Sequence, residues 1–185
     1  EEPSVIAAAS KGAKIARIKG GFEVSADESY SIGQVQILDV DVPSAISKIK
    51  NSTNKILQLA NSKSNTLTKM GKGAKEIYSK VIDAPSGKML IVELLIDVGD
   101  AMGANVVNTM AEAVTPYIED ICNAKIYLRI VSNLATHRIA KSRAVFDKDL
   151  LGGEEVVEGI LNAYEFAVAD PYRATTHNKG IMKEL

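Results

Sequence analysis

The chain has 185 residues, 46% of them apolar, enough to bury a core in one large or two small domains. Its formal net charge of −1 argues against a basic nucleic-acid footprint, and no apolar run approaches the ~20 residues of a membrane-spanning helix. The single cysteine, Cys122, cannot form an intrachain disulfide; with an acidic Glu1-Glu2 start unlike a secretory signal, it fits a cytoplasmic protein.

Pro3 suits the first turn of a helix, and Val5, Ala8, Ala9, Gly12 and Ile15 give that helix an apolar stripe of mostly small side chains. Gly20-Gly21 supplies a stop, residues 25–31 read as a polar crossing, and a domain boundary is expected near Ser29. From Gly33, Val35 and Ile37 alternate with Gln34 and Gln36 in a strand ending near Asp41. Pro43 then opens a helix with the stripe Ile46, Ile49, Thr53, Ile56, Leu57 and Ala60. Strands are expected over about 74–83 and 89–97, joined by a Pro85-Ser86-Gly87 turn.

The next stretch changes period in its middle. Leu90 to Ile96 is almost unbroken apolar sequence, the mark of a buried strand, whereas Val107, Met110, Ala111, Val114, Ile118 and Ile121 recur at helical spacing. Between them lies an acidic turn with Gly99 and Gly103. It reads either as a strand-to-helix turn capped by Asp100 or as a phosphate site, since a helix N-terminus leaves N–H groups without partners. The helix is expected to kink or break near Pro116. Ile126, Leu128 and Ile130 alternate with Lys125, Tyr127 and Arg129 in a last strand, after which residues 134–146 read as helix. Gly152-Gly153 breaks the chain, and Val156, Val157, Ile160, Leu161, Tyr164, Ala167 and Val168 form a helical stripe ended by Asp170-Pro171.

These elements predict an α+β chain. The order β-α-β-β-α-β is that of the split ferredoxin-like unit, four antiparallel strands carrying two helices on one face. A Rossmann domain is disfavoured: Gly71-Lys72-Gly73 lacks the third glycine of that fingerprint and precedes a strand where the fingerprint opens a helix. Arg138, Lys141 and Arg143 form a basic run that either meets cofactor phosphates or is a solvated helix face. His137 and His177 read as structural or solvent-facing.

Four stretches carry a resemblance. Asp100-Ala101-Met102-Gly103-Ala104-Asn105 resembles the dinucleotide-binding signature of 3-hydroxy-3-methylglutaryl-CoA (HMG-CoA) reductases, and Val106 to Val114 continues its bacterial and archaeal, class II form. Glu1-Glu2-Pro3-Ser4-Val5, Val131-Ser132-Asn133-Leu134 and the run from Asp170-Pro171-Tyr172-Arg173 to His177-Asn178-Lys179-Gly180 agree with it, so the resemblance spans nearly the whole chain. It implies a ferredoxin-like NAD(P)-binding domain over residues 29–134, inserted into a larger, mainly helical substrate-binding domain represented by residues 1–28 and 135–185. It implies two-step reduction of HMG-CoA to mevalonate and free coenzyme A, or the reverse, with NADPH or NADH and without a metal. It further implies a homodimer whose site is shared between subunits, with neither nucleic acid nor membrane as a partner.

Each hydride delivery to a thioester or aldehyde carbon turns a carbonyl oxygen into a developing alkoxide that needs positive charge and a proton. By resemblance Lys179 is the catalytic lysine and Glu2 the catalytic glutamate. A free glutamate is ionised at neutral pH, so burial or a neighbouring carboxylate must raise the Glu2 pKa before it can donate a proton. The family's catalytic aspartate and its thiolate-protonating histidine have no counterpart in this stretch. Ser4, Arg173 and Thr176 fall on positions that hold the hydroxymethylglutaryl part; a guanidinium can donate two parallel hydrogen bonds to its carboxylate. Asp100, Met102, Gly103, Ala104, Asn105 and Asn133 carry over as cofactor contacts. One departure lies at the end, where Lys183-Glu184 stands in place of the usual Asn-Gly.

Cofactor choice is read from residues 61–75. They hold no carboxylate to accept from a ribose 2′-hydroxyl but do hold Lys63, Lys69, Lys72 and Lys75, which favours NADPH over NADH. The competing readings are a non-catalytic ferredoxin-like ligand-binding or regulatory module, and another acyl-CoA-dependent oxidoreductase.

Overall fold

The structure, a computed structural model, describes residues 3–184 and the side chains of residues 3–182. It divides into two compact units: a first made of the described parts of Glu1–Ser25 with Lys141–Leu185, and a second, Ala26–Ala140. The expected boundary near residue 134 therefore falls earlier in sequence than the observed division.

The first unit begins with α1 (Pro3–Ile18), which ends at Gly20 and Gly21, both at positive φ. Strand β1 (Phe22–Ala26) occupies the start of the expected polar crossing. It joins a two-stranded sheet with a later strand over Ala140–Ala144.

In the second unit β2 (Tyr30–Leu38) begins three residues before the expected start, Gly33. Asp41 belongs to the following turn, where its carboxylate accepts from the Ser44 N–H and caps the next helix. The single helix expected after Pro43 is two, α2 (Val42–Asn51) and α3 (Thr53–Asn61), divided at Ser52. Thr53 bonds its hydroxyl back to the Lys50 carbonyl at 2.9 Å, an arrangement that competes with an uninterrupted helix. A further turn, α4 (Asn65–Lys69), is capped by Ser64. Strands β3 (Gly73–Ala84) and β4 (Gly87–Asp97) form the expected hairpin.

Helix α5 (Ala104–Cys122) is unbroken at Pro116. Pro116 removes one N–H from the helical ladder, and both Pro116 and Glu112, whose carbonyl loses that donor, lie on the exposed face where water can serve. Strand β5 (Lys125–Ser132) follows, and the four-stranded antiparallel sheet has the order β3-β4-β2-β5. One face of the sheet, with Val35, Ile37, Leu90, Val92, Leu94 and Ile96, packs against Ile49, Ile56, Val107, Met110, Val114 and Ile118 of the helices, all nearly inaccessible to solvent. Gly33 allows a close approach of α5: a methyl there would stand 3.1 Å from Val107 Cγ1. Asn61 ties α3 to the sheet by donating to the Ala74 carbonyl at 2.9 Å and accepting the Ala74 N–H at 2.8 Å.

The helix expected over residues 134–146 is absent. Residues 133–139 form an irregular turn and Ala140–Ala144 is strand β6, paired with β1. A pairing partner more than a hundred residues away overrides the local helical spacing, and Phe22 packs edge-on against Phe146 with ring centroids 6.3 Å apart. The rest of the first unit is helical: a short turn α6 (Lys148–Leu151), the Gly152-Gly153 break, α7 (Glu154–Ala169) and α8 (Pro171–Glu184) packed on α7. Many apolar side chains of α7 lie open among the described residues, Ile160, Leu161, Tyr164 and Val168 among them. No described helix is long and apolar enough to cross a membrane.

On the sheet face away from the helices, Glu93 accepts hydrogen bonds from Gln34 at 2.7 Å and from Lys80. Burial pushes the Glu93 pKa up, but the bonds from Lys80 and Gln34 outweigh it and hold the value below its ordinary 4.5. A carboxylate whose folded pKa is depressed contributes stability that is complete above its unfolded pKa and is lost as pH falls through the folded one. Glu93→Gln should therefore flatten the acid limb of the stability curve below the ordinary glutamate value. Urea unfolding from pH 7 downward checks this, and an acid limb identical to the parent's would contradict it.

Candidate active site

The end of β4 is unusual because a charged residue terminates a run of buried apolar ones. Asp97 is only 8% exposed, so its carboxylate must be satisfied locally. One oxygen accepts the Gly99 N–H at 3.0 Å and also meets Lys72 Nζ at 3.3 Å. The Lys72 stem lies across Gly99, where an added methyl would stand 3.1 Å from Lys72 Cδ. Lys72 is thus engaged in an internal ion pair and does not act as one of a set of open cations. Lys75 bonds the Gly71 carbonyl, while Lys63 and Lys69 are exposed.

The turn then runs through Asp100, Ala101 and Met102, all exposed, the last 81% so. The N-cap of α5 is Gly103, at φ 83°, and no side chain caps the helix. The expected cap at Asp100 is therefore not formed: Asp100 precedes the helix by too many residues for its carboxylate to take a first-turn N–H in the usual way. Gly103 is required twice over. Its backbone is left-handed, and a methyl group would lie 2.5 to 2.9 Å from the Val98 side chain. The first-turn N–H groups that follow are left for solvent or an anion.

Arg138 approaches the same turn. Its Nη1 donates to the Ala101 carbonyl at 3.1 Å and its Nη2 to the Gly99 carbonyl at 3.4 Å. The basic run is thus not a helix face, because Arg138 lies in the irregular turn while Lys141 and Arg143 lie on β6. Asn105 and Asn133 are exposed, Ala104 is half-buried, and Asn108 pins α5 to β5 by accepting the Val131 N–H at 2.8 Å. Among the described residues no group of three His, Cys, Asp or Glu is arranged to hold a metal.

The remaining candidates lie in the first unit. Ser4 is exposed on the first turn of α1, and Glu2 lies outside the described residues. Asp170 ends α7 and caps α8, its carboxylate accepting the Arg173 N–H at 2.7 Å. Helical spacing puts Arg173, Thr176 and Lys179 along one side of α8, each about 60° from the next. Arg173 is half-buried at an apolar groove between α7 and α8, lined also by Ile160, Tyr164, Ala167 and His177. Thr176 donates its hydroxyl proton to the Tyr172 carbonyl at 2.9 Å, so its lone pairs remain to accept from a ligand. Lys179 is exposed. The departure at Lys183-Glu184 falls where side chains are not described.

A family model for hydroxymethylglutaryl-coenzyme A reductase matches residues 1–184. The chain belongs to that family. It is 54% identical to the 3-hydroxy-3-methylglutaryl-coenzyme A reductase of Archaeoglobus fulgidus over 186 aligned positions, covering 100% of this chain and 43% of the relative. A probable reductase of Borreliella burgdorferi is 31% identical over 198 positions, again with 100% and 43% coverage. The fold matches a solved class II reductase from Streptococcus pneumoniae, bound to NADPH in open conformations, with a TM-score of 0.91, 38% identity, and coverage of 98% of this chain and 45% of that one. A second structure of the Streptococcus pneumoniae enzyme gives a TM-score of 0.90. The chain thus spans about half the length of these reductases or less.

Sequence reasoning missed Asp97, Asn61 and the Arg138 contacts. Asp97 carried a signal, a carboxylate closing a long apolar strand, which demands a buried partner. Asn61 and Arg138 carried none, because their partners are backbone groups distant in sequence. Gly103→Ala should lower unfolding stability by about 2 to 3 kcal/mol through backbone strain and the Val98 clash. Urea unfolding would measure it, and parent-like stability would contradict the geometry.

Proposed function

We propose that the protein carrying this chain is an NAD(P)H-dependent oxidoreductase that converts HMG-CoA to mevalonate and free coenzyme A, or runs the reverse. The observation that carries the reading is the turn at residues 97–105, whose glycine-held helix N-terminus lacks a side-chain cap, in a chain matching a reductase family across residues 1–184. Two positive-φ glycines and open first-turn N–H groups suit a pyrophosphate. Asp100, Met102, Gly103, Ala104, Asn105 and Asn133 would hold the dinucleotide, which supplies hydride when bound. Lys63 and Lys69, exposed and without a nearby carboxylate in the segment, favour the extra phosphate of NADPH. The Lys72–Asp97 ion pair reduces the set on which that preference rests.

Arg173 would hold the free carboxylate of the hydroxymethylglutaryl group, with Ser4 and Thr176 completing its polar contacts. Lys179 would stabilise the oxygen that gains negative charge, and Glu2 would supply its proton. Residues 29–134 form the cofactor-binding domain in this reading, and residues 1–28 with 135–185 form part of the substrate-binding domain. We place the protein in the cytoplasm as a homodimer whose site is shared between subunits. The open apolar side of α7 would be covered by the remainder of that domain or by the partner.

The 185 residues alone should be catalytically silent, lacking the expected aspartate and histidine, and mevalonate formation by the purified chain would contradict this. In the full-length protein Lys179→Ala should lose most of kcat with a smaller change in substrate affinity, because the charge matters most as the oxyanion forms. Mixing Asn105→Ala and Lys179→Ala subunits should restore activity in heterodimers, and mixed dimers no more active than either variant would exclude a shared site. A kcat/KM for NADH above that for NADPH would reverse the cofactor assignment.

A further inference from the structure

We infer that Arg138 is a positioning residue for the nicotinamide cofactor, acting through the turn at residues 99–103 and not by touching the phosphates. The inference rests on the cofactor reading above. The half-buried Arg138 guanidinium spans two carbonyls of that turn, Ala101 at 3.1 Å and Gly99 at 3.4 Å. Every described peptide is trans, and in a planar trans peptide the N–H points opposite to the C=O. The Gly99 carbonyl shares a peptide with the Asp100 N–H, and the Ala101 carbonyl with the Met102 N–H. Holding both carbonyls toward Arg138 therefore turns both N–H groups away from it. Among the described residues neither of these N–H groups meets an acceptor.

The two ends of the turn are already engaged. Asp97 takes the Gly99 N–H at 3.0 Å while Lys72 holds Asp97, and the Gly103 carbonyl accepts the Val107 N–H at 3.0 Å. What remains is a row of donors, from Asp100 and Met102 into the first turn of α5, presented by a backbone fixed at both ends. Arginine suits the task because its planar fork can reach two acceptors in a set geometry, which a single ammonium does not. Without the fork, a turn containing two positive-φ glycines samples other conformations, and binding must then order it.

The test compares the full-length parent with Arg138→Ala and Arg138→Lys. Three quantities are measured: the NADPH dissociation constant by fluorescence titration, the HMG-CoA dissociation constant by calorimetry, and amide hydrogen exchange over residues 98–104 without ligand. Arg138→Ala should weaken NADPH binding about tenfold, the expected size for lost charge-assisted hydrogen bonds. It should also speed exchange in the turn, leaving HMG-CoA affinity and Tm near the parent's. Arg138→Lys, the variant less disruptive to folding, should show the same pattern at smaller amplitude, since it keeps the charge but not the fork. Unchanged NADPH affinity in both variants overturns the inference. So does weaker NADPH binding with unchanged exchange in the turn, which would make Arg138 a direct phosphate contact. A parent that itself fails to bind NADPH removes the cofactor reading, and the inference falls with it.

Discussion

A carboxylate at the end of a buried strand is the constraint around which the second unit is arranged. Asp97 closes a strand whose inward residues, Leu90, Val92, Leu94 and Ile96, are fully excluded from water, and on the alternate face it is itself only 8% exposed. An unpaired charge in such a place costs several kcal/mol, whereas one with an ammonium and a backbone N–H is tolerated. Lys72 and the Gly99 N–H supply those partners, and both lie in glycine-containing segments. The charge therefore determines where the chain turns after β4, because the turn must fold back within one residue to bring an N–H to Asp97.

The turn meets a second constraint at its far end. Val98 is buried, and its side chain fills the space where a Cβ of residue 103 would stand, so the helix begins at a glycine with no side chain to cap it. An ordinary helix start places Ser, Asp or Asn there, and its oxygen takes one of the free N–H groups. At Gly103 those groups stay available, at some cost to the isolated helix, whose stability comes instead from burying Val107, Met110, Val114 and Ile118 against the sheet. Local stability is given up where a ligand's negative charge would be received, and burial elsewhere in the same helix compensates.

In the first unit the same economy of short contacts organises α8. Asp170 ends one helix and caps the next, which makes the Asp-Pro pair a hinge point with defined geometry. The register of α8 is set from that cap, and Arg173, Thr176 and Lys179 follow along one side by helical period alone. Cys122, in the second unit, shows the contrasting case of a group with chemistry and no role: burial raises its thiol pKa and leaves it a packing residue at the end of α5.

Periodicity carried much of the fold. The alternation at Val35 and Ile37, the apolar run to Ile96 and the helical spacing from Val107 to Ile118 were legible because each depends on neighbours a few residues apart. The motif strings were legible for the same reason, and they led to the family before any contact was known. By itself the sequence determined the element order of the second unit and the two glycine-bearing turns. Only the tertiary structure decided that residues 140–144 are a strand, that Ser52 divides a helix, that Asp100 does not cap α5, and that Lys72 pairs with Asp97 while Arg138 bonds two carbonyls of the turn. Pairing with β1, the Asp97 charge and the backbone carbonyls of Gly99 and Ala101 are encountered only after folding. Hydrogen bonds to backbone leave little imprint on residue type, whereas burial leaves a periodic one.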